Sequence, residues 1–88
     1  MTMSLNEALA EIIRERIDSR GMTMASLARV SGVSRESLRN YIQRGKRTMP
    51  VDVLAQVAPA LGLTTYDLVR LAQELRDSEP EDPPGEAV

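Results

Sequence analysis

Apolar residues fall at helical spacing in five successive stretches of the chain, each with its own start signal. In the first, Leu5, Leu9, Ile12, Ile13 and Ile17 make one stripe. Ser4-Leu5-Asn6-Glu7 opens it as a capping box, in which serine and glutamate each satisfy a free amide of the other end. Arg14, Arg16 and Arg20 lie mostly off the stripe, and Gly21 closes it where a left-handed backbone is needed. The second stretch is short: Thr23 caps it, Leu27, Ala28 and Val30 are its apolar positions, and it stops before Gly32. The third follows at once, capped by Ser34, with Leu38, Tyr41 and Ile42 inward and Gly45 at its end. Pro50 begins the fourth, without wasting an amide, and Val53, Leu54, Val57, Ala58 and Leu61 carry it to Gly62. Pro59 is its anomaly and predicts a kink or an early loosening near Ala55–Pro59. The fifth starts at Thr64 and buries Leu68, Leu71, Ala72 and Leu75.

The expected fold is therefore all-α, with five helices in a domain spanning residues 4–76. Two short helices joined by Ser31-Gly32-Val33 form a helix-turn-helix layout, the glycine permitting the tight turn and Val33 plugging between the helices. Beyond Leu75 the composition changes to RDSEPEDPPGEAV, rich in proline and acid. Such a stretch buries too little surface to offset its ordering entropy, so residues 77–88 are expected to be a disordered acidic tail.

Composition narrows the chemistry. The chain has no cysteine and no histidine, which removes thiolate metal sites, the usual general base and the commonest metal ligand. No remaining pair of residues suggests an acid/base site, so neither an enzyme nor a cofactor is expected. The N-terminal MTMSLNEALA lacks the features of a signal peptide and no apolar run approaches membrane-spanning length, so the expected compartment is the cytoplasm. The net charge of −2 conceals an uneven distribution. Residues 74–88 hold six acids against Arg76, which leaves ten bases and seven acids in residues 1–73. Between positions 35 and 47 stand Arg35, Arg39, Arg44, Lys46 and Arg47, opposed only by Glu36. A local cluster of this kind governs attraction to phosphate more than whole-chain charge does.

The third helix carries this cluster. Arg35, Glu36, Arg39 and Asn40 lie opposite its Leu38/Tyr41/Ile42 face. These side chains suit base edges: arginine bonds both acceptors of guanine, asparagine pairs with adenine, and glutamate accepts from cytosine. A blander reading stands beside this one, since Arg35, Glu36 and Arg39 are also spaced for helix-stabilising ion pairs. Tyr41 is read as a core residue with an exposed hydroxyl.

The stretch GMTMASLARVSGVSRESLRNYIQRGKR resembles the helix-turn-helix of phage Cro/CI-type repressors, the XRE-like regulators. The resemblance rests on Thr23, Leu27-Ala28, Gly32-Val33-Ser34 and Arg44-Gly45-Lys46, and continues through VLAQVAPALGLTTYDLV, where Ala-Leu-Gly is typical. It implies a lambda-repressor-like DNA-binding domain and places Arg35, Glu36, Arg39 and Asn40 at base-contacting positions. Ser34, Ser37, Arg44, Lys46 and Arg47 are better placed for phosphate, and Thr23 opens a helix whose free amides also hold one. Three features depart from the family. Met24 stands where glutamine is common, one extra residue separates Leu38 from Gly45, and Pro59 replaces a helix-favouring residue.

Together these readings imply a transcriptional regulator of phage or prophage type, with double-stranded DNA as its partner. A module this small is expected to act as a homodimer on a palindromic operator, through the fourth and fifth helices or the C-terminal extension. The alternative is an antitoxin or anti-repressor type of interaction module, in which the acidic tail engages a basic protein surface. A tail that competes with DNA for Arg35–Arg47 is a further expectation.

Overall fold

Local capping chemistry sets most of the helix boundaries seen in the computed structural model, which describes residues 3–43 and 48–78. Helix α1 spans Leu5–Ser19. Ser4 Oγ accepts from the Glu7 amide at 3.0 Å, and Glu7 Oε1 accepts from the Ser4 amide at 2.8 Å. At its other end the Met22 amide reaches back to the Ile17 carbonyl and the Gly21 amide to Asp18, the paired closure of a Schellman motif. Helix α2 is Met24–Ser31, capped by Thr23. Helix α3 is Arg35–Leu38, capped by Ser34, and passes directly into a π-helical turn over Arg39–Gln43. Helices α4, Val51–Ala60, and α5, Thr65–Ser78, complete the described residues, among which there is no strand.

The third helix thus differs from the continuous helix expected over 34–44. Only its first four residues are α-helical. The amides of a π turn reach back five residues instead of four. Such a turn takes up one residue more than an α-helical turn does, which is the geometry that an additional residue between Leu38 and Gly45 would call for. Gly45 itself, with Arg44, Lys46 and Arg47, lies outside the described residues.

Pro59 does not break α4. The helix runs on to Ala60, so the proline sits in its last turn. There its carbonyl accepts from the Gly62 amide while the Leu63 amide reaches Ala58, and the helix closes as α1 does. Pro50 is the N-cap rather than the first helical residue, its carbonyl accepting from Val53 and Leu54. Helix α5 extends through Asp77 and Ser78, two positions expected in the tail. The Ser78 hydroxyl donates to the Leu75 carbonyl there, and Arg76 pairs with Asp77. The rest of the expected tail, 79–88, lies outside the described residues.

One aliphatic core unites the elements. Helix α1 packs against α5 and the π turn, and α4 packs against α2 and α5. Ile13, Leu27, Leu38, Ile42, Val57, Leu61 and Leu68 are completely or almost completely buried. Each such side chain contributes about 1.5–3 kcal/mol over leaving it in water. Val33 is buried as expected, between α2 and α3 in sequence.

Candidate nucleic-acid interface

The turn between α2 and α3 is fixed by three short-range devices. Gly32 adopts φ +80°, a left-handed conformation that glycine enters without penalty. The Val33 amide donates to Ser31 Oγ at 3.2 Å, so the one buried polar side chain of this region serves the turn itself. The Ser34 hydroxyl then accepts from the Ser37 amide at 3.1 Å and donates to Ser37 Oγ at 2.8 Å. At the start of α2, Thr23 Oγ1 likewise accepts from the Ser26 amide at 3.0 Å. The first amides of a helix have no partner within it, and each cap satisfies one of them.

With the turn fixed, burial of Leu38 and Ile42 decides which side of the recognition segment faces out. Arg35 and Glu36 are exposed, and Arg39 and Asn40 are half-buried. Tyr41 packs against the core, as its spacing implies. Glu36 and Arg39 approach to 3.9 Å on the open surface. A pair of that exposure is worth about 0–1 kcal/mol, so it presents Arg39 without holding it back from a stronger partner. Both readings of these spacings, ion pairing and an outward polar face, thus coexist in the free protein.

Thr23 lies near the end of the π turn. A groove of about 260 Å³ lies between Arg14, Thr23, Met24 and Gln43, so the start of α2 and the end of the π turn share one rim. Met24 is half-buried and packs against the core, a role that glutamine would fill less well. Arg44, Lys46 and Arg47, expected to meet phosphate, lie outside the described residues, though both flanks of their segment are anchored. On one side Arg14 Nη1 donates to the Ile42 carbonyl at 2.7 Å. On the other the Met49 amide donates to Asn6 Oδ1 at 2.9 Å, and the Met49 side chain is buried.

Sequence reasoning had missed Arg14 and Asn6. Arg14 reads as a surface residue because it stands off the apolar stripe of α1. Its proximity to that stripe, directly after Ile13, is the one local sign that it reaches a neighbouring element. Asn6 is hidden inside the capping box. Among the described residues, no cluster of His, Cys, Asp or Glu is arranged to hold a metal, and no helix is long and apolar enough to cross a membrane.

Comparison with known proteins agrees with this geometry. The chain is similar to the crystal structure of the clp gene regulator ClgR from Corynebacterium glutamicum, with 30% identity and a TM-score of 0.75 over 88% of this chain and 81% of that one. No curated protein matches. The family model of the Cro/C1-type HTH DNA-binding domain matches residues 12–74, a span that includes both helices, the glycine turn and the π turn. By that match and by the capped pair of helices it covers, the chain belongs to the Cro/C1-type helix-turn-helix DNA-binding family.

Proposed function

We propose that the protein is a sequence-specific transcriptional regulator, a repressor of phage or prophage type that binds a palindromic operator as a homodimer. The observation that carries this reading is the outward row of Arg35, Glu36, Arg39 and Asn40, set by the buried Leu38 and Ile42 behind it. In the complex these four side chains contact base edges in the major groove. Thr23, Ser34, Ser37, Arg44, Lys46 and Arg47 contact phosphate and fix the register. The structural likeness to a protein named as a gene regulator supports the transcriptional role. The dimer brings two half-sites under one binding event, which a module of this size needs for affinity. Tyr66, 73% exposed at the start of α5, supports an interface on α4 and α5.

Selection from a random duplex DNA pool tests the proposal, run in parallel on the wild type and Arg39→Ala. The expected result is a palindromic motif that relaxes at one position per half-site in the variant, with discrimination there falling by about 1–3 kcal/mol. Binding that is sequence-blind and purely salt-dependent would overturn the base-reading assignment.

A further inference from the structure

The π turn contains two of the four side chains assigned to base edges, and a long-range hydrogen bond from α1 helps to hold it. Arg14 Nη1 reaches the Ile42 carbonyl across 28 positions of sequence. The other guanidinium nitrogen, Nη2, meets Glu11 Oε1 at 2.6 Å and aims the fork. Ile42 is thereby fixed twice: its side chain is wholly buried in the core, and its carbonyl is bound by a cation. Beside this contact a groove opens between Arg14, Met22, Met24 and Gln43, so the hydrogen bond adds to the packing of Ile42 and Tyr41 in restraining the turn.

From this arrangement we infer that Arg14 is a positioning residue for DNA recognition: through the Ile42 carbonyl it holds the π turn that orients Arg39 and Asn40. The inference rests on the proposed base-reading role of those two residues. When the carbonyl is released, the turn is free to exchange five-residue for four-residue hydrogen bonding. Ile42 resists rotation because it is buried, so the change falls on residues 39–41. Arg35 and Glu36 precede the turn on α3 and keep their orientation. The expected defect is therefore uneven along the motif.

The test uses the full chain and Arg14→Met, which keeps an unbranched, helix-favouring stem and loses both hydrogen bonds. Circular dichroism and amide hydrogen exchange are read first, without DNA. The expected result is a wild-type helical signal with faster exchange at residues 40–43 and unchanged exchange in α1, α4 and α5. Global loss of helix, or no selective change in exchange, would overturn the inference. Random-pool selection follows, with Arg35→Ala, Arg39→Ala and Asn40→Ala assigning motif positions. Arg14→Met is expected to lose preference at the positions of Arg39 and Asn40, keep it at that of Arg35, and bind the wild-type motif about tenfold more weakly, as for one charge-assisted hydrogen bond. Uniform weakening with a smaller salt slope would make Arg14 a phosphate contact instead and overturn the inference. A wild type that selects no motif would refute the base-reading proposal alone, leaving the exchange result to decide what Arg14 holds.

Discussion

At the scale of single residues, two glycines with similar backbone angles show where conformation rather than space is limiting. Gly32 and Gly62 have φ of +80° and +76°. A methyl group on Gly32 meets nothing within 4 Å, and one on Gly62 meets only the Arg20 guanidinium, 3.2 Å away on a flexible side chain. Neither site is crowded by backbone, so the cost of Gly32→Ala is the left-handed conformation itself, about 1–2 kcal/mol. For a domain of this size that corresponds to a fall of several degrees in Tm, about 4–8 °C per kcal/mol. Thermal denaturation followed by circular dichroism checks it. A Tm unchanged by Gly32→Ala would mean that the turn adopts another geometry. The same residues show what is legible in sequence. Ser4, Thr23, Ser34, Thr64, Gly21, Gly32 and Gly62 act on amides and carbonyls within a few positions of themselves, so their roles are readable without a structure. For Thr64 this is the bond it accepts from the Asp67 amide at 3.0 Å.

Elements are less legible wherever a distant group decides their geometry. The recognition segment has the apolar spacing of an ordinary helix, yet turns π-helical after Leu38. The partners that hold its end and the following segment are Arg14 and Asn6, 28 and 43 positions away in sequence from Ile42 and Met49. No periodicity along residues 34–44 encodes them. The opposite error concerns Pro59. Proline signals a break through what it cannot do locally, but a helix that ends one residue later tolerates it. In the interior it would cost about 3 kcal/mol or more. In the last turn its missing amide removes the helical partner of the Ala55 carbonyl, and Ala55 is exposed, so that loss falls on the side of the helix open to solvent. Pro59→Ala is therefore expected to raise stability by less than about 1 kcal/mol, since the restored bond is largely offset by the greater freedom of the unfolded chain. Urea denaturation at unchanged m-value measures the gain; a loss of stability would show that the ring is needed for the closure at Gly62.

For the molecule as a whole, the distribution of charge sets how it meets DNA before any base is read. The net charge is −2, while residues 1–73 carry ten bases against seven acids. The four acids of residues 79–88, Glu79, Glu81, Asp82 and Glu86, have no basic residue among them. We propose that this segment, rich in acid and without a base, competes with phosphate for the basic residues of positions 35–47. The competition is electrostatic, so it acts on sequence-independent binding and decays as salt shortens the screening length from about 30 Å at 0.01 M to about 8 Å at 0.15 M. A chain ended at Ser78 retains all of α5 and is expected to bind random-sequence duplex DNA more tightly than the full chain at low salt. The two affinities should converge as salt rises, while preference for the selected motif over random sequence is lower in the shortened chain. Filter binding across a salt series makes the comparison. Equal affinities at the lowest salt would refute competition by the acidic segment and leave its charges to act on a partner other than DNA.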